Sequence, residues 1–198
     1  MARKYELKKR AERRGETRRR IVQAAVDLHT TVGPARTSTA AIAERAGVQR
    51  HTVYAHFADD AELYRACSQH WRAENPFPDG ERWWGIPDAE RRLRAALLDV
   101  YAWYERVEPA MALFRRDASL VPAHRAVVEA AAAERAAVAD RLAAGFGSSK
   151  AARAAVGHAL EFETWRSLCR GQGLSRSAAA ELMVSLAARR RRAARSAA

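Results

Sequence analysis

Apolar residues return at three- and four-residue intervals along most of the chain, and no stretch alternates as a half-buried strand would. Ile21, Ala24, Ala25 and Leu28 make the first stripe and predict a helix from about Thr17 to Thr31, ended by Gly33-Pro34. A short helix follows, with Thr39 as its N-cap, because a threonine hydroxyl accepts from an orphan backbone N–H. Ile42 and Ala46 share one face four residues apart, and the small Ala43 lets another helix cross close by. Gly47 supplies the left-handed backbone that ends this helix. Val48 fills the corner, and Val53 and Phe57 give the next helix its buried face. A fourth helix starts after Asp59-Asp60, whose carboxylates favour a helix N-terminus. It carries Leu63, Tyr64, Cys67 and Trp71 and stops at Asn75-Pro76.

Phe77–Pro87, rich in Pro, Gly and Trp, reads as a loop. Asp88 then caps a long helix with Leu93, Leu97, Val100, Tyr101 and Tyr104 in register. Pro109 and Pro122 each suit a helix's first turn, which predicts helices over 109–117 and 122–144. After Gly145 and Gly147, a helix from about Ser149 to Cys169 carries Val156, Leu160 and Leu168, and Gly171-Gln172-Gly173 ends it. Ser175 or Ser177 caps the last helix, with Leu182, Met183 and Leu186. The expected fold is all-α with about nine helices, and no fixed-period repeat points to a solenoid.

The densest chemistry lies in the second and third helices. With Val53 and Phe57 turned inward, Arg50, His51, Thr52, Tyr54 and His56 point elsewhere. A short helix with polar and basic residues near its start suits the major groove of DNA. The pattern Thr39-x-x-Ile42-Ala43-x-x-Ala46-Gly47-Val48, followed by Thr52-Val53-Tyr54-x-His56-Phe57, resembles the helix-turn-helix of TetR-family transcriptional regulators over roughly 17–66. That resemblance implies a three-helix DNA-binding head, a linking helix and a helical regulatory domain. It also implies a homodimer whose last two helices, here 149–170 and 175–190, form a four-helix bundle between protomers. The domain reading is a flexible basic arm over 1–16, the head over 17–66, a ligand-binding and dimerisation domain over 67–188 and a basic tail over 189–198.

By the same resemblance, Gln49–Phe57 enters the groove, with Arg50 and His51 where relatives reach base edges. Arginine pairs bidentately with guanine O6 and N7. Thr39, Thr52, Tyr54 and His56 take phosphate-contacting or groove-facing positions; Tyr54 fits a brace for the head's core equally well, and His56 a helix cap. One departure stands out. Asp60 occupies a position where many relatives carry lysine, and a carboxylate binds no phosphate, so only the backbone N–H groups of that helix start would do so.

Charge sharpens this picture. Residues 1–20 sum to +7 and residues 189–198 to +5, while 21–188 sum to zero. Basic tails raise affinity for polyanions without reading sequence. The first leads straight into the head and is expected to touch DNA; the Arg189–Arg195 run reads as a solvated tail. The regulatory region is rich in aromatics. An effector pocket is expected among Trp103, Tyr104, Met111, Phe162 and Trp165, although ordinary core packing explains most of them individually. Glu161 and Glu163 flank this patch and suit a cationic ligand or a solvated face.

Other chemistry has little support. No Gly-rich phosphate loop, nucleophile elbow or compact His/Asp/Glu cluster suggests catalysis or a cofactor. Cys67 and His70 place a thiol and an imidazole on adjacent turns but lack further local metal ligands. Two cysteines make no disulfide framework, and no signal-peptide core or membrane span is evident, so a cytoplasmic protein is expected. The composite expectation is a homodimeric repressor released from a palindromic double-stranded operator by a small-molecule effector. The alternatives are a same-fold activator or effector-independent regulator, a non-specific basic DNA binder, and a helical enzyme.

Overall fold

The computed structural model of the protein describes residues 2–78, 80–147 and 150–196, with side chains between residues 5 and 189. The apolar stripes close into ten α-helices among the described residues, and no strand is present there. The chain divides into two units. The first comprises 2–75 and 108–129, the second 76–107 and 130–196.

In the first unit, α1 spans Ala2–Thr31, beginning at Ala2 rather than near Thr17. Its early residues are mostly strong helix formers, and Lys8 pairs with Glu12 one turn on at 3.9 Å. The helix-turn-helix is α2 (Thr39–Ala46) and α3 (Arg50–His56). The N-cap of α2 is Ser38, not Thr39. Ser38 has the extended backbone, and its hydroxyl accepts from Ala41 N–H at 3.1 Å, whereas Thr39 is already helical. Gly47 ends α2 at φ +64, as expected.

Helix α4 (Asp60–Glu74) is capped reciprocally. Asp59 accepts from Glu62 N–H at 2.7 Å, and Glu62 reaches back to Ala58 N–H at 2.9 Å. The core of this unit gathers Ile21, Ala25, Ile42, Ala46, Val53, Phe57, Leu63 and Cys67, with Leu28, Val48 and Trp71 packed at its margin.

Beneath that core, the ends of two later helices join the unit. The expected break at Pro109 does not occur, because α6 runs unbroken over Ala89–Asp117 with the proline inside it. Buried Val107, Ala110 and Met111 surround the proline, and packing of this apolar face outweighs one lost backbone bond. At the end of α6, Asp117 Oδ2 accepts from Ala35 N–H at 3.0 Å, and Arg116 donates to the Val32 carbonyl at 3.0 Å. The hydrogen bond from Arg116 holds the Asp117 carboxyl below its usual range, with Ala35 N–H adding to it against the burial penalty. This pair latches the loop that leads into α2.

Beside the latch, the buried His29 ring stacks on Tyr64, centroids 4.7 Å apart, and its Nδ1 lies 3.5 Å from Cys67 Sγ. Helix α7 (Pro122–Ala143) opens on proline as expected and brings His124, whose Nε2–H donates to the Phe114 carbonyl at 2.9 Å.

In the second unit, the expected loop contains a single helical turn, α5 (Glu81–Trp84). Trp83 is buried, and its Nε1–H donates to Asp99 at 2.7 Å, which anchors the turn. The helix expected over 149–169 is broken. It forms α8 (Lys150–Ala159), a turn at 160–161, α9 (Phe162–Arg166) and a π-helical turn over Ser167–Gly171. Its expected first residue, Ser149, lies outside the described residues.

The break has a physical partner. It frees the carbonyls of Ala159 and Leu160, which accept from the buried hydroxyls of Tyr101 at 2.9 Å and Tyr104 at 2.6 Å. Two tyrosines three residues apart on α6 thus cap a helix end whose only local signal is Gly157, inside the last turn of α8. Helix α10 (Arg176–Ser196) is capped by Ser175, which accepts from Ala178 N–H at 3.2 Å, and packs on α8. The side chains of the basic tail from Arg190 onward lie outside the described residues.

Candidate nucleic-acid interface

Helix α3 buries Val53 at 1% exposure and seats Phe57 at 2%, so its other sides are forced outward. Gln49, Arg50 and His51 are exposed, and Thr52 is half-buried. Arg50 donates to the Tyr54 hydroxyl at 3.2 Å, its guanidinium 5.7 Å from the centre of the Tyr54 ring. Tyr54 is 46% exposed, so it does not brace the core. The hydrogen bonds donated by Arg50 and by Thr39 to its oxygen favour the charged form and lower the tyrosine's pKa. The structure therefore gathers Thr39, Arg50 and Tyr54 into one hydrogen-bonded surface group spanning α2 and α3. Held in this way, the arginine loses less rotamer freedom on meeting a base edge.

His56 sits half-buried at the far end of α3. Burial lowers its pKa first, and the charges of Arg14 and Arg18 add to this, so the ring is neutral at neutral pH. The C-cap of α3 is the next residue, Phe57, whose backbone N–H donates to the Val53 carbonyl.

The turn between α2 and α3 is held from α1. Arg20 donates to the carbonyls of Ala46 at 3.1 Å and Gly47 at 3.0 Å, satisfying orphan groups at the end of α2. Arg45 pairs with Asp27 at 3.0 Å. Arg18 lies 4.6 Å over the Phe57 ring and 3.7 Å from Glu62, and Arg14 reaches the Ala55 carbonyl at 3.5 Å. Sequence reasoning counted these arginines as charge and missed their second task of fixing the head's geometry. Their spacing at 14 and 18, one helical turn apart, was the available signal.

At the start of α4, where a phosphate contact through backbone N–H groups is expected, Asp59 accepts from Glu62 N–H and Glu62 from Ala58 N–H, so part of that donor set is already engaged. Arg18, from α1, brings a cation to this corner, 3.7 Å from Glu62.

In the second unit, Trp103, Tyr104, Phe162 and Trp165 do come together. Tyr104 lies 5.4 Å from Trp103, 5.3 Å from Phe162 and 5.7 Å from Trp165 between ring centres. All four are buried, and Trp165 Nε1 is a buried donor with no hydrogen-bond partner. Met111 is also buried, two turns further along α6, but belongs to the first unit. Glu161 starts α9, and Glu163 pairs with Arg166 at 3.8 Å.

Cys67 faces His29 rather than His70, and burial pushes its thiol up to about 12, which makes it unreactive. His70 instead bonds Gln23 at 2.8 Å. Among the described residues, no group of three or more His, Cys, Asp or Glu is placed to hold a metal ion, and no helix is long and apolar enough to cross a membrane.

Residues 21–67 match the N-terminal family of bacterial regulatory proteins, tetR family. Comparison with curated proteins found no match. Among solved structures, the chain is similar to a TetR-like transcriptional regulator from Rhodococcus sp. RHA1, with a TM-score of 0.60 and 24% identity over 86% of this chain and 93% of that one. It is also similar to a transcriptional regulator from the same organism, with a TM-score of 0.62 and 18% identity over 85% of this chain and 94% of the other. At these identities, the likeness to the solved structures concerns the fold.

Proposed function

We propose that the chain, whose residues 21–67 match the TetR N-terminal family, is a DNA-binding regulator of that family, a homodimeric repressor whose α3 helices read successive major grooves of an imperfect palindrome. The observation that carries this reading is the exposed group of Arg50, Tyr54 and Thr39. Arg50 supplies the bidentate donor for guanine, and His51 and Gln49 stand beside it on the exposed helix start. Thr39, Thr52, Tyr54 and His56 supply neutral donors for phosphate oxygens, which set register rather than sequence. Two-fold pairing doubles the length of sequence read.

The test is binding to a duplex that the protein itself selects from random DNA at about 150 mM salt, where non-specific electrostatic binding is weakened. Arg50→Ala is expected to cost about tenfold or more per half-site and to relax preference at one base pair. Equal affinity of wild type and variant for all duplexes would overturn the reading. A non-specific basic DNA binder would behave in that way.

Release is assigned to a small molecule in the aromatic region of the second unit. The unpartnered Trp165 Nε1 supports this, since a buried donor without an acceptor costs about 1–3 kcal/mol that a ligand's acceptor would recover. The effector class that fits Trp103, Tyr104, Phe162 and Trp165 is a largely apolar, ring-containing molecule with one carbonyl or ether oxygen. It acts only through unequal affinity for the DNA-bound and released states. In a screen for compounds that lower operator affinity, Trp165→Phe is expected to weaken the response about tenfold while leaving ligand-free operator binding unchanged. A response untouched by that substitution would remove Trp165 from the site, and a screen with no active compound would favour an effector-independent regulator.

A further inference from the structure

Residues 5–16 of α1 bury nothing, yet they continue the helix for about three turns, roughly 18 Å, beyond its packed part. Their charges are not scattered evenly. At about 100° per residue, Glu6, Glu12 and Glu16 all fall in one half of the circumference, together with Lys9, Arg13 and Arg20. The opposite half carries Arg14 and Arg18 toward its middle, Lys8, Arg10 and Arg19 toward its edges, and no acid. Lys8, at its margin, leans to Glu12. The acid-free half is also the one that turns toward the recognition helix: Arg14 meets the Ala55 carbonyl and Arg18 covers Phe57, both at the end of α3. A strip of cations thus runs from the end of α3 outward along α1, continuous with the surface assigned to DNA.

We propose that the N-terminal half of α1 is a second, helical DNA-binding element, whose acid-free face lies along the phosphates flanking the half-site read by α3. This rests on the DNA-binding reading above and adds to it a partner surface and a geometry. A flexible arm would bring the same charge at the cost of ordering it on the DNA. A preformed helix presents Arg10, Arg14 and Arg18 at one-turn spacing, without that cost. Gly15 is the helix's weak point. It sits where the packed part ends, its backbone is helical, and an added Cβ would meet only Arg19 Nη1, at an ordinary 3.8 Å.

The experiment compares two charge-matched pairs in the full chain: Lys8→Ala with Arg10→Ala on the acid-free face, which leaves the Arg14 bond to Ala55 in place, and Lys9→Ala with Arg13→Ala on the other. Affinity is measured against salt on a selected duplex carrying ten-base-pair flanks and on the same duplex trimmed of them. The first pair is expected to lose about tenfold or more on the flanked duplex and to make the salt dependence shallower by roughly two per protomer. The second pair is expected to lose less than threefold, and trimming the flanks should abolish the difference. Gly15→Pro keeps every charge but breaks the helix, and is expected to match the first pair with an unchanged thermal midpoint; Gly15→Ala should tighten binding severalfold.

Equal losses from the two pairs, or a Gly15→Pro protein that binds flanked DNA like wild type, would overturn the proposal and leave only diffuse tail electrostatics. The comparison of faces can be read on any duplex. A protein that selects no sequence would therefore sink the regulator reading while the arm is still judged by its own pairs.

Discussion

Gly33→Ala is expected to destabilise the first unit by about 3–4 kcal/mol, lowering the melting midpoint by on the order of 10 °C. Gly33 holds φ +98 and ψ 154, a region open almost only to glycine, and an alanine there is strained by about 1–3 kcal/mol. Space adds to strain. A Cβ would run into Arg116 Nη2 and come within 2.5 Å of Asp117 Oδ2. Those two side chains bond Val32 and Ala35 on either side of the glycine, so yielding to the methyl group means giving up the latch. Asp117 is 1% exposed and cannot swing into water without uncovering its neighbours. Urea unfolding of wild type and variant reads the effect directly. A loss under 1 kcal/mol would show that the loop relaxes and that the latch carries little. Because the loop leads into α2, the variant is also expected to weaken operator binding at temperatures where its fold is still intact.

Acid is expected to weaken the same unit through His29. Burial is the main reason its pKa falls to about 4, and the nearby His124 lowers it further. In the unfolded chain the ring titrates near 6.5. Above that value neither state binds the proton, and the buried neutral ring contributes its full stability. Between 6.5 and about 4 only the unfolded state is protonated, so stability falls as pH falls, by about 1.4 kcal/mol per unit and roughly 3 kcal/mol in all. Below about 4 the slope from this group ends. His124 is lowered by burial too and adds a slope of the same sign. Asp117, whose pKa is also lowered, loses its contribution only below the ordinary carboxylate range. Urea midpoints measured from pH 7.5 to 4 would show the decline. His29→Phe keeps a ring against Tyr64 and is expected to remove most of it. A variant with an unchanged pH profile would assign the acid sensitivity elsewhere.

The parts of this protein that were legible in its sequence are those stabilised by neighbours in the chain. The head could be read because its signals are local: Ile42 and Ala46, Gly47 at positive φ, and Val53 and Phe57 sit within one or two helical turns of one another. Even there, Ser38 and Thr39 are equally good caps in composition, and only the backbone decides which is extended. Pro109 is a helix starter by local preference, yet α6 passes through it because its buried face spans both sides. Gly157 alone did not mark the end of α8, since the hydroxyls that satisfy its carbonyls come from Tyr101 and Tyr104, more than fifty residues away in the chain.

The candidate site divides in the same way. The sequence alone determined an all-helical chain with a helix-turn-helix, and singled out Arg50 and Tyr54 by leaving them off the apolar face. It did not determine that Arg50 rests on Tyr54, that Asp59 caps α4 through Glu62 N–H, or that Asp117 holds the loop at Gly33. Those outcomes depend on which polar groups meet when distant helices pack, and a buried polar group takes whatever partner the tertiary structure brings within about 3 Å.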